Sequence, residues 1–275
     1  MSAAGAPLPA VSPLRLRIAT DVTAPILQLQ NVSVRFGGLS AVDQVSLELR
    51  QGERRAVIGP NGAGKTTLFN AITGVIRPSA GRVLLEGRDI TRMPPNRRAY
   101  LGIGRTFQIT NLFANLTVAE NMRLALRGTS PSKFRLFAAD RLTSEDAARL
   151  DAALETSRLA HRRQATVREM SYGEQRQLEL AMALVLRPRL LLLDEPAAGL
   201  SAMERIYFAE IVKGLPKDLT MVLIEHDMDL ALRLVDYVSV LNHGRLLVEA
   251  DPDSIRANEA VQEVYLGKPH HARRA

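Results

Sequence analysis

Cysteine and tryptophan are absent from the 275 residues, and aromatic side chains make up only 4% of them. Without cysteine the chain has neither a disulfide framework nor a thiolate metal site, which fits a cytosolic chain. No uninterrupted apolar run reaches the ~18 residues that a membrane-spanning helix needs. The opening "MSAAGAPLPAVSPLRLRIATDVTA" (1–24) is rich in Ala and Pro, and Arg15 and Arg17 interrupt its apolar stretch. It therefore lacks the hydrophobic centre of a signal peptide and reads as a disordered extension.

A concentrated basic stripe is missing too. The formal charge of +7 and pI near 10.1 invite a nucleic-acid partner. The densest groups, however, are the pairs Arg97–Arg98, Arg162–Arg163 and Arg273–Arg274, with no interleaved aromatics. Scattered positive charge suits anionic lipid or a nucleotide equally well. What is present is an ordinary globular composition, 46% apolar, in a chain long enough for one large domain or two small ones.

The runs "ILQLQNVSVRF" (26–36), "VSLELR" (45–50), "RRAVIG" (54–59) and "GRVLLEGRDI" (81–90) read as strands, the last as one short strand bracketed by Gly81 and Gly87. From about 107 to 187 the period becomes helical. The strands "LLLLDEP" (190–196) and "TMVLIEHD" (220–227) follow, then "YVSVLNHGRLLVEA" (237–250), a hairpin turning at Asn242-His243-Gly244. Two strand-rich stretches thus flank a helical insertion. Continuous runs such as "LLLL" and "MVLI" suit parallel strands buried on both faces, where ligands collect at the carboxyl ends. Asp194, Glu195 and His226 all fall at such ends.

"GPNGAGKTT" (59–67) matches the whole phosphate-loop pattern between a strand and a helix. Gly62 and Gly64 let the backbone approach phosphate oxygens, and Gly59, Pro60, Asn61 and Ala63 complete the loop that carries the amides. Lys65 would reach the β- and γ-phosphates. The Thr66 hydroxyl, followed by Thr67, would ligate Mg²⁺. Asp194 could hold Mg²⁺ through water, and Glu195 would orient the attacking water. His226 could read the γ-phosphate, and Gln108 in "GRTFQ" could touch Mg²⁺ or water. Phe36, before Gly37-Gly38, either stacks on adenine or packs in the core.

"MSYGEQRQLELAMAL" (170–184) opens with Ser171 and Glu174 spaced as a capping box, as do Thr117 with Glu120 and Thr143 with Asp146. Tyr172, Gly173 and Gln175 are unnecessary for a cap, and Gly is a poor first-turn residue. A helix start and a ligand-gripping N-terminus both fit these residues.

In this order the motifs resemble the ATP-binding cassette family over roughly residues 26 to 250. "GPNGAGKT" looks like its Walker A, Gln108 its Q-loop, "LLLLDE" its Walker B with the following glutamate, His226 its switch histidine, and "MSYGEQ" its signature. The resemblance implies an α/β fold: a P-loop NTPase cassette with a mixed-sheet RecA-like core, an antiparallel β subdomain and an inserted α-helical subdomain at about 108–178. It implies an ATPase domain over 25–255 and a short C-terminal helix and tail over 256–275. It also implies that two cassettes pack head to tail, so that Ser171, Gly173 and Gln175 serve the ATP of a neighbour. Tyr172, Glu174 and Ser201 depart from the residues commonest at their places.

"RTFQ", "LFANLTVAEN", "LLLDEPAAGL", "IEHDM" and "VQEVYLG" (261–267) are similar to cassettes of bacterial branched-chain amino acid importers. That likeness implies ATP and Mg²⁺ as ligands, a sister or identical cassette, two membrane permease subunits docking near Gln108 to Phe113, and a periplasmic substrate-binding protein. It places the chain peripherally on the cytoplasmic face of the inner membrane, with no nucleic-acid partner. An exporter cassette, or a soluble cassette ATPase of DNA repair or translation, is the alternative. One Walker A and about eighty residues between Gln108 and Pro188 argue against the soluble rival, which carries a long coiled coil or two cassettes. A GTPase would need an N-K-x-D motif, which the chain lacks.

Overall fold

A computed structural model describes residues 24–106, 112–128 and 142–266, with only the backbone of Leu266. Gln108 and residues 1–23 lie outside the described residues. The chain opens with two long antiparallel strands, β1 (Leu27–Phe36) and β2 (Leu39–Leu49), then runs through β3 (Arg54–Ile58) into helix α1 (Lys65–Thr73). β4 (Ala80–Leu85), β5 (Arg88–Asp89), α2 (Pro95–Tyr100) and β6 (Ile103–Arg105) follow. Next come α3 (Val118–Gly128), α4 (Ser144–Thr156) and α5 (Tyr172–Leu184). The chain then returns to strands with β7 (Leu190–Asp194), α6 (Ala202–Lys213), β8 (Thr220–Ile224), α7 (Met228–Leu234), β9 (Tyr237–Asn242) and β10 (Arg245–Ala250), and ends in α8 (Pro252–Ala257) and α9 (Glu259–Leu266).

Two sheets result. The order β2-β1-β4-β5 is antiparallel throughout, and the order β10-β9-β3-β8-β7-β6 is parallel except for the antiparallel β9–β10 pair. β3, β7 and β8 are buried nearly end to end, as expected of parallel strands covered on both faces. The antiparallel sheet packs with α1 and one face of the parallel sheet; α6, α7 and α8 cover the other face. α3, α4 and α5 share a third core around Met122, Leu150, Leu154 and Leu178. α5 belongs to two bodies at once: Leu178, Ala181 and Val185 face the helical core, and Leu180 and Ala183 face the sheet.

The stretch 81–90 is a hairpin rather than one strand. β4 and β5 pair across Glu86-Gly87, both at positive φ (49° and 75°), the geometry of a two-residue hairpin turn. Glu is an uncommon residue there, so the turn carries little sequence signal. The hairpin at 242–244 forms as read, with His243 and Gly244 at positive φ. Complete capping boxes form at Ser171/Glu174 and Thr117/Glu120. At Thr143 the side chain accepts from the Asp146 amide, while its hydroxyl, rather than its amide, donates to the Asp146 carboxylate. Asp is one methylene shorter than the Glu of a full box.

Candidate active site

β3 delivers the chain into the loop 59–64, and α1 begins at Lys65. Gly64, at φ 99°, cannot be another residue: an added Cβ would lie 2.2 Å from the Ala41 carbonyl oxygen of β2. Gly59 is as confined, against the Leu241 carbonyl oxygen of β9 at 2.1 Å. Gly62 differs from both. It is exposed, and a Cβ there would meet no protein atom within 4 Å, so only its left-handed backbone, φ 78°, favours glycine within the chain. Among the described residues, then, no neighbour confines Gly62.

The β9–β10 turn clasps the loop, since Gly244 donates its N–H to the Ala63 carbonyl (3.0 Å) and accepts from the Asp43 amide (2.8 Å). Pro60 and Ala63 close a turn, whose Ala63 amide donates to the Pro60 carbonyl (3.1 Å). Asn61 and Thr66 are exposed, and Thr67 is half-buried.

Lys65 is buried, and its ammonium folds back to donate to the carbonyls of Gly59 (2.7 Å) and Pro60 (3.0 Å). Burial lowers its pKa, while the charges of Glu195 and Asp194 raise it. The ammonium is thus held against the loop carbonyls with the charges of two carboxylates close by.

Asp194 ends β7 fully buried. Its Oδ2 accepts from Arg105 Nη2 (2.7 Å), and its Oδ1 is buried with no hydrogen-bond partner among the described residues. Burial raises its pKa, opposed chiefly by the Arg105 hydrogen bond. Glu195 follows at φ 48°, a strained region for a residue with a side chain, and its amide donates to the Ile224 carbonyl (2.9 Å). Its Oε1 lies 2.7 Å from His226 Nε2, so the ends of β7 and β8 bring carboxylate and imidazole together.

Two residues of this edge were missed from sequence. Arg105 ties Asp194 to α1 by donating through Nη1 to Asn70 Oδ1 (2.7 Å); an arginine in a chain with 36 basic residues carries no individual signal. Glu225 is buried and accepts from the Ala197 amide (2.9 Å) and the His226 amide (3.3 Å). Burial pushes its carboxyl up to about 7, against those hydrogen bonds and with the charges of Glu195 and Asp227 nearby. Its position after the apolar run "MVLI", like that of Asp194 after "LLLL", was the available signal.

Phe36, the last residue of β1, is 51% exposed, so it is no core residue and its ring is open to a ligand. The Ser171 hydroxyl accepts from the Glu174 amide (3.2 Å), and Glu174 accepts from the Ser171 amide (2.8 Å) while pairing with Arg162 (2.9 Å). The Glu174 charge is therefore occupied at its own cap. Gln175 donates to the Met170 carbonyl (3.2 Å). None of these hydrogen bonds reaches the loop 59–67 of the same chain.

Residues 42–198 match the family model described as "ABC transporter", a span that includes the loop, Ser171–Gln175, Asp194 and Glu195. The chain belongs to the ABC transporter family. Residues 245–271 also match "Branched-chain amino acid ATP-binding cassette transporter". The high-affinity branched-chain amino acid transport ATP-binding protein LivG of Salmonella typhimurium is 39% identical over 254 residues, covering 90% of this chain and all of LivG. BraF of Pseudomonas aeruginosa, of the same description, is 37% identical over 257 residues, with 90% and 100% coverage. The ADP conformation of MJ1267, an ATP-binding cassette of an ABC transporter, superposes with a TM-score of 0.78 at 31% identity, covering 90% of this chain and all of that one. ATP is thus the nucleotide of the site, and this cassette is an ATPase. The second family match begins at β10 and takes in α8 and α9.

Proposed function

We propose that this cassette is the ATP-hydrolysing subunit of an importer for branched-chain amino acids or related small polar or aromatic compounds. The observation that carries the reading is the convergence at one sheet edge of Lys65, Asp194 and the Glu195–His226 pair. Lys65 and the loop amides around Gly62 bind the β- and γ-phosphates, and Phe36 stacks on adenine. Glu195 orients and polarises the attacking water, and His226 holds Glu195 at 2.7 Å while facing the γ-phosphate.

The donors also fit Mg²⁺. Among the described residues there is no cluster of three or more His, Cys, Asp or Glu side chains for a protein-only metal site. The set is instead one buried carboxylate oxygen, on Asp194, with no partner among the described residues, and the hydroxyl of the exposed Thr66, with Gln108 joining them in this reading. Such a sparse hard-oxygen set suits an ion that keeps waters and takes substrate phosphates as ligands. When bound, Mg²⁺ supplies charge neutralisation on the phosphates.

Ser171, Gly173 and Gln175 complete the site of a second cassette, identical or a sister subunit. Their helix N-terminus is capped internally by Glu174, with Ser171 exposed at its start. Residues 25–255 form the ATPase domain, 108–178 its helical subdomain, and 256–275 a C-terminal helix and tail. No helix among the described residues is long and apolar enough to cross a membrane. In this reading two permease subunits carry the substrate path and dock from the inner-membrane side. A periplasmic binding protein delivers the cargo. An apolar cavity of about 400 Å³ between α2, β6 and α5, lined by Val75, Ala99, Thr106, Leu112, Met182 and Leu186, suits a docking permease helix.

Glu195→Gln should retain ATP binding and nearly abolish hydrolysis; a near-normal turnover removes Glu195 from this mechanism. Pull-down from native membranes should recover hydrophobic permease subunits, whereas nuclease-sensitive RNA or DNA would overturn the transporter reading.

A further inference from the structure

Two contacts leave the start of α5, one to the segment between β7 and α6 and one to the first turn of α6. The ring of Tyr172 lies against Gly199, where an added Cβ would stand 2.9 Å from Tyr172 Cε1 and 3.4 Å from Cζ. The ring is fixed from its own helix as well: Arg176 Nη2 donates to the Tyr172 hydroxyl (2.6 Å), and the Arg176 guanidinium lies 5.1 Å from the ring centroid. Arg176 is in turn paired with Glu179 (2.9 Å), both buried.

One residue further along α5, Gly173 meets Glu204 of α6. A Cβ on Gly173 would stand 2.7 Å from Glu204 Oε1 and 3.1 Å from its Cδ, so only glycine lets the carboxylate lie there. The same carboxylate closes the cap of α6, accepting from the Ser201 amide (2.9 Å) and the Ser201 hydroxyl (2.7 Å). Hydrogen bonds from Ser201 and then from the Gly173 amide hold the Glu204 carboxyl below its ordinary range. One anion therefore serves two helix N-termini, where backbone amides and the helix dipole both favour negative charge. Tyr172 and Ser201, two departures from the common cassette pattern, lie on either side of this junction.

We propose that Tyr172 and Glu204 are positioning residues that lock the N-terminus of α5 to the segment 195–201, so that Ser171–Gln175 and the residues after Glu195 move as one face. The helical core reaches the sheet through α5, whose Leu180 and Ala183 anchor its middle and C-terminal half. Arg158, whose guanidinium lies 5.0 Å from the Tyr207 ring centroid, also ties the helical body to α6, and without the contacts at residues 172 and 173 the body would pivot about these remaining points. With them, the signature amides keep their orientation relative to Glu195 before any second cassette arrives. That consequence for catalysis rests on the reading of Ser171–Gln175 as part of a neighbour's site, but the lock belongs to the single chain.

The absence of cysteine makes the test direct. Spin labels at Glu155→Cys on α4 and Arg77→Cys after α1, both exposed, report the distance between the helical body and the sheet core by pulsed electron–electron double resonance in the full chain. The parent should give a narrow distribution. Tyr172→Ala and Glu204→Ala should each broaden it severalfold, Tyr172→Phe should restore it by keeping the ring against Gly199, and ATP affinity should stay within about twofold of the parent. Gly173→Ala, which drives the Glu204 carboxylate off, should broaden it without removing either side chain. Hydrolysis by Tyr172→Ala and Glu204→Ala should show a lowered kcat with KM for ATP unchanged. Distributions as narrow as the parent in folded Tyr172→Ala, Glu204→Ala and Gly173→Ala overturn the lock. Broadening in a chain that never pairs with another cassette supports the lock and removes the pairing reading instead.

Discussion

The Glu195 carboxylate and the His226 imidazole stand 2.7 Å apart, from the ends of two adjacent parallel strands. The register Asp194↔Ile224 places residues 195 and 226 at one edge, and the strained φ of Glu195 turns its side chain towards the imidazole. His226→Ala should therefore leave nucleotide binding intact and lower hydrolysis, with Glu195→Gln the more severe of the two. A positioned base is worth on the order of 10²–10⁴ in rate. Single-turnover hydrolysis at saturating ATP, beside an equilibrium titration with a fluorescent ATP analogue, separates chemistry from binding.

Arg105→Ala should destabilise the fold more than a typical polar substitution. It leaves the fully buried Asp194 without its guanidinium partner, and breaking a buried pair from one side costs ~3–5 kcal/mol. Arg105→Ala/Asp194→Asn should recover part of that loss. Urea unfolding midpoints of the two variants check this, and equal midpoints would show that the pair contributes little.

Stability should carry a pH signature from Glu225. Its carboxyl is pushed up to about 7 in the fold, above the ordinary 4.5. Between those values the native state holds a proton that the unfolded chain releases, so this group's contribution falls as pH rises from about 4.5 to about 7 and stays lost above it. Glu195, Asp227 and His226 surround the group. Glu225→Gln should match the parent near pH 5 and be relatively more stable at pH 8. Thermal unfolding at both pH values reads the difference, and an unchanged difference would refute the assignment.

Ser171 has two separable jobs. Ser171→Ala removes the hydroxyl that accepts from the Glu174 amide and should cost ~1 kcal/mol of stability. Ser171→Arg in a Glu195→Gln background should in addition block any ATP-dependent dimer by placing a long cation at the helix start. Solution mass with and without Mg-ATP, together with unfolding midpoints, distinguishes the two effects.

Much of the site was legible because its chemistry is contiguous in the chain. Gly59–Thr67 carries its pattern in nine consecutive residues, and Asp194 and Glu195 follow a four-leucine run that had to be a buried strand. Capping boxes were readable for the same reason, since three-residue spacing is local. The pattern did not separate the glycines of the loop by their cause: Gly59 and Gly64 are confined by neighbouring strands, whereas Gly62 stands in open space. The β4–β5 hairpin was missed because Glu86, the first of its two turn residues, is an uncommon residue at positive φ.

By itself, the sequence determined the strand and helix periods, the phosphate loop and the acids that end buried strands, because each depends on neighbours a few residues apart. Only the tertiary structure decided that Arg105 holds Asp194, that Gly244 clasps Ala63, that Phe36 is exposed, and that Glu204 reaches Gly173. Those partners lie 89 residues apart in the first case and 31 in the last, counting from the residue numbers 105 to 194 and 173 to 204. No local spacing encodes such a contact. It exists because parallel strand order and helix packing bring distant backbone into reach, and burial then makes the few polar groups there find each other.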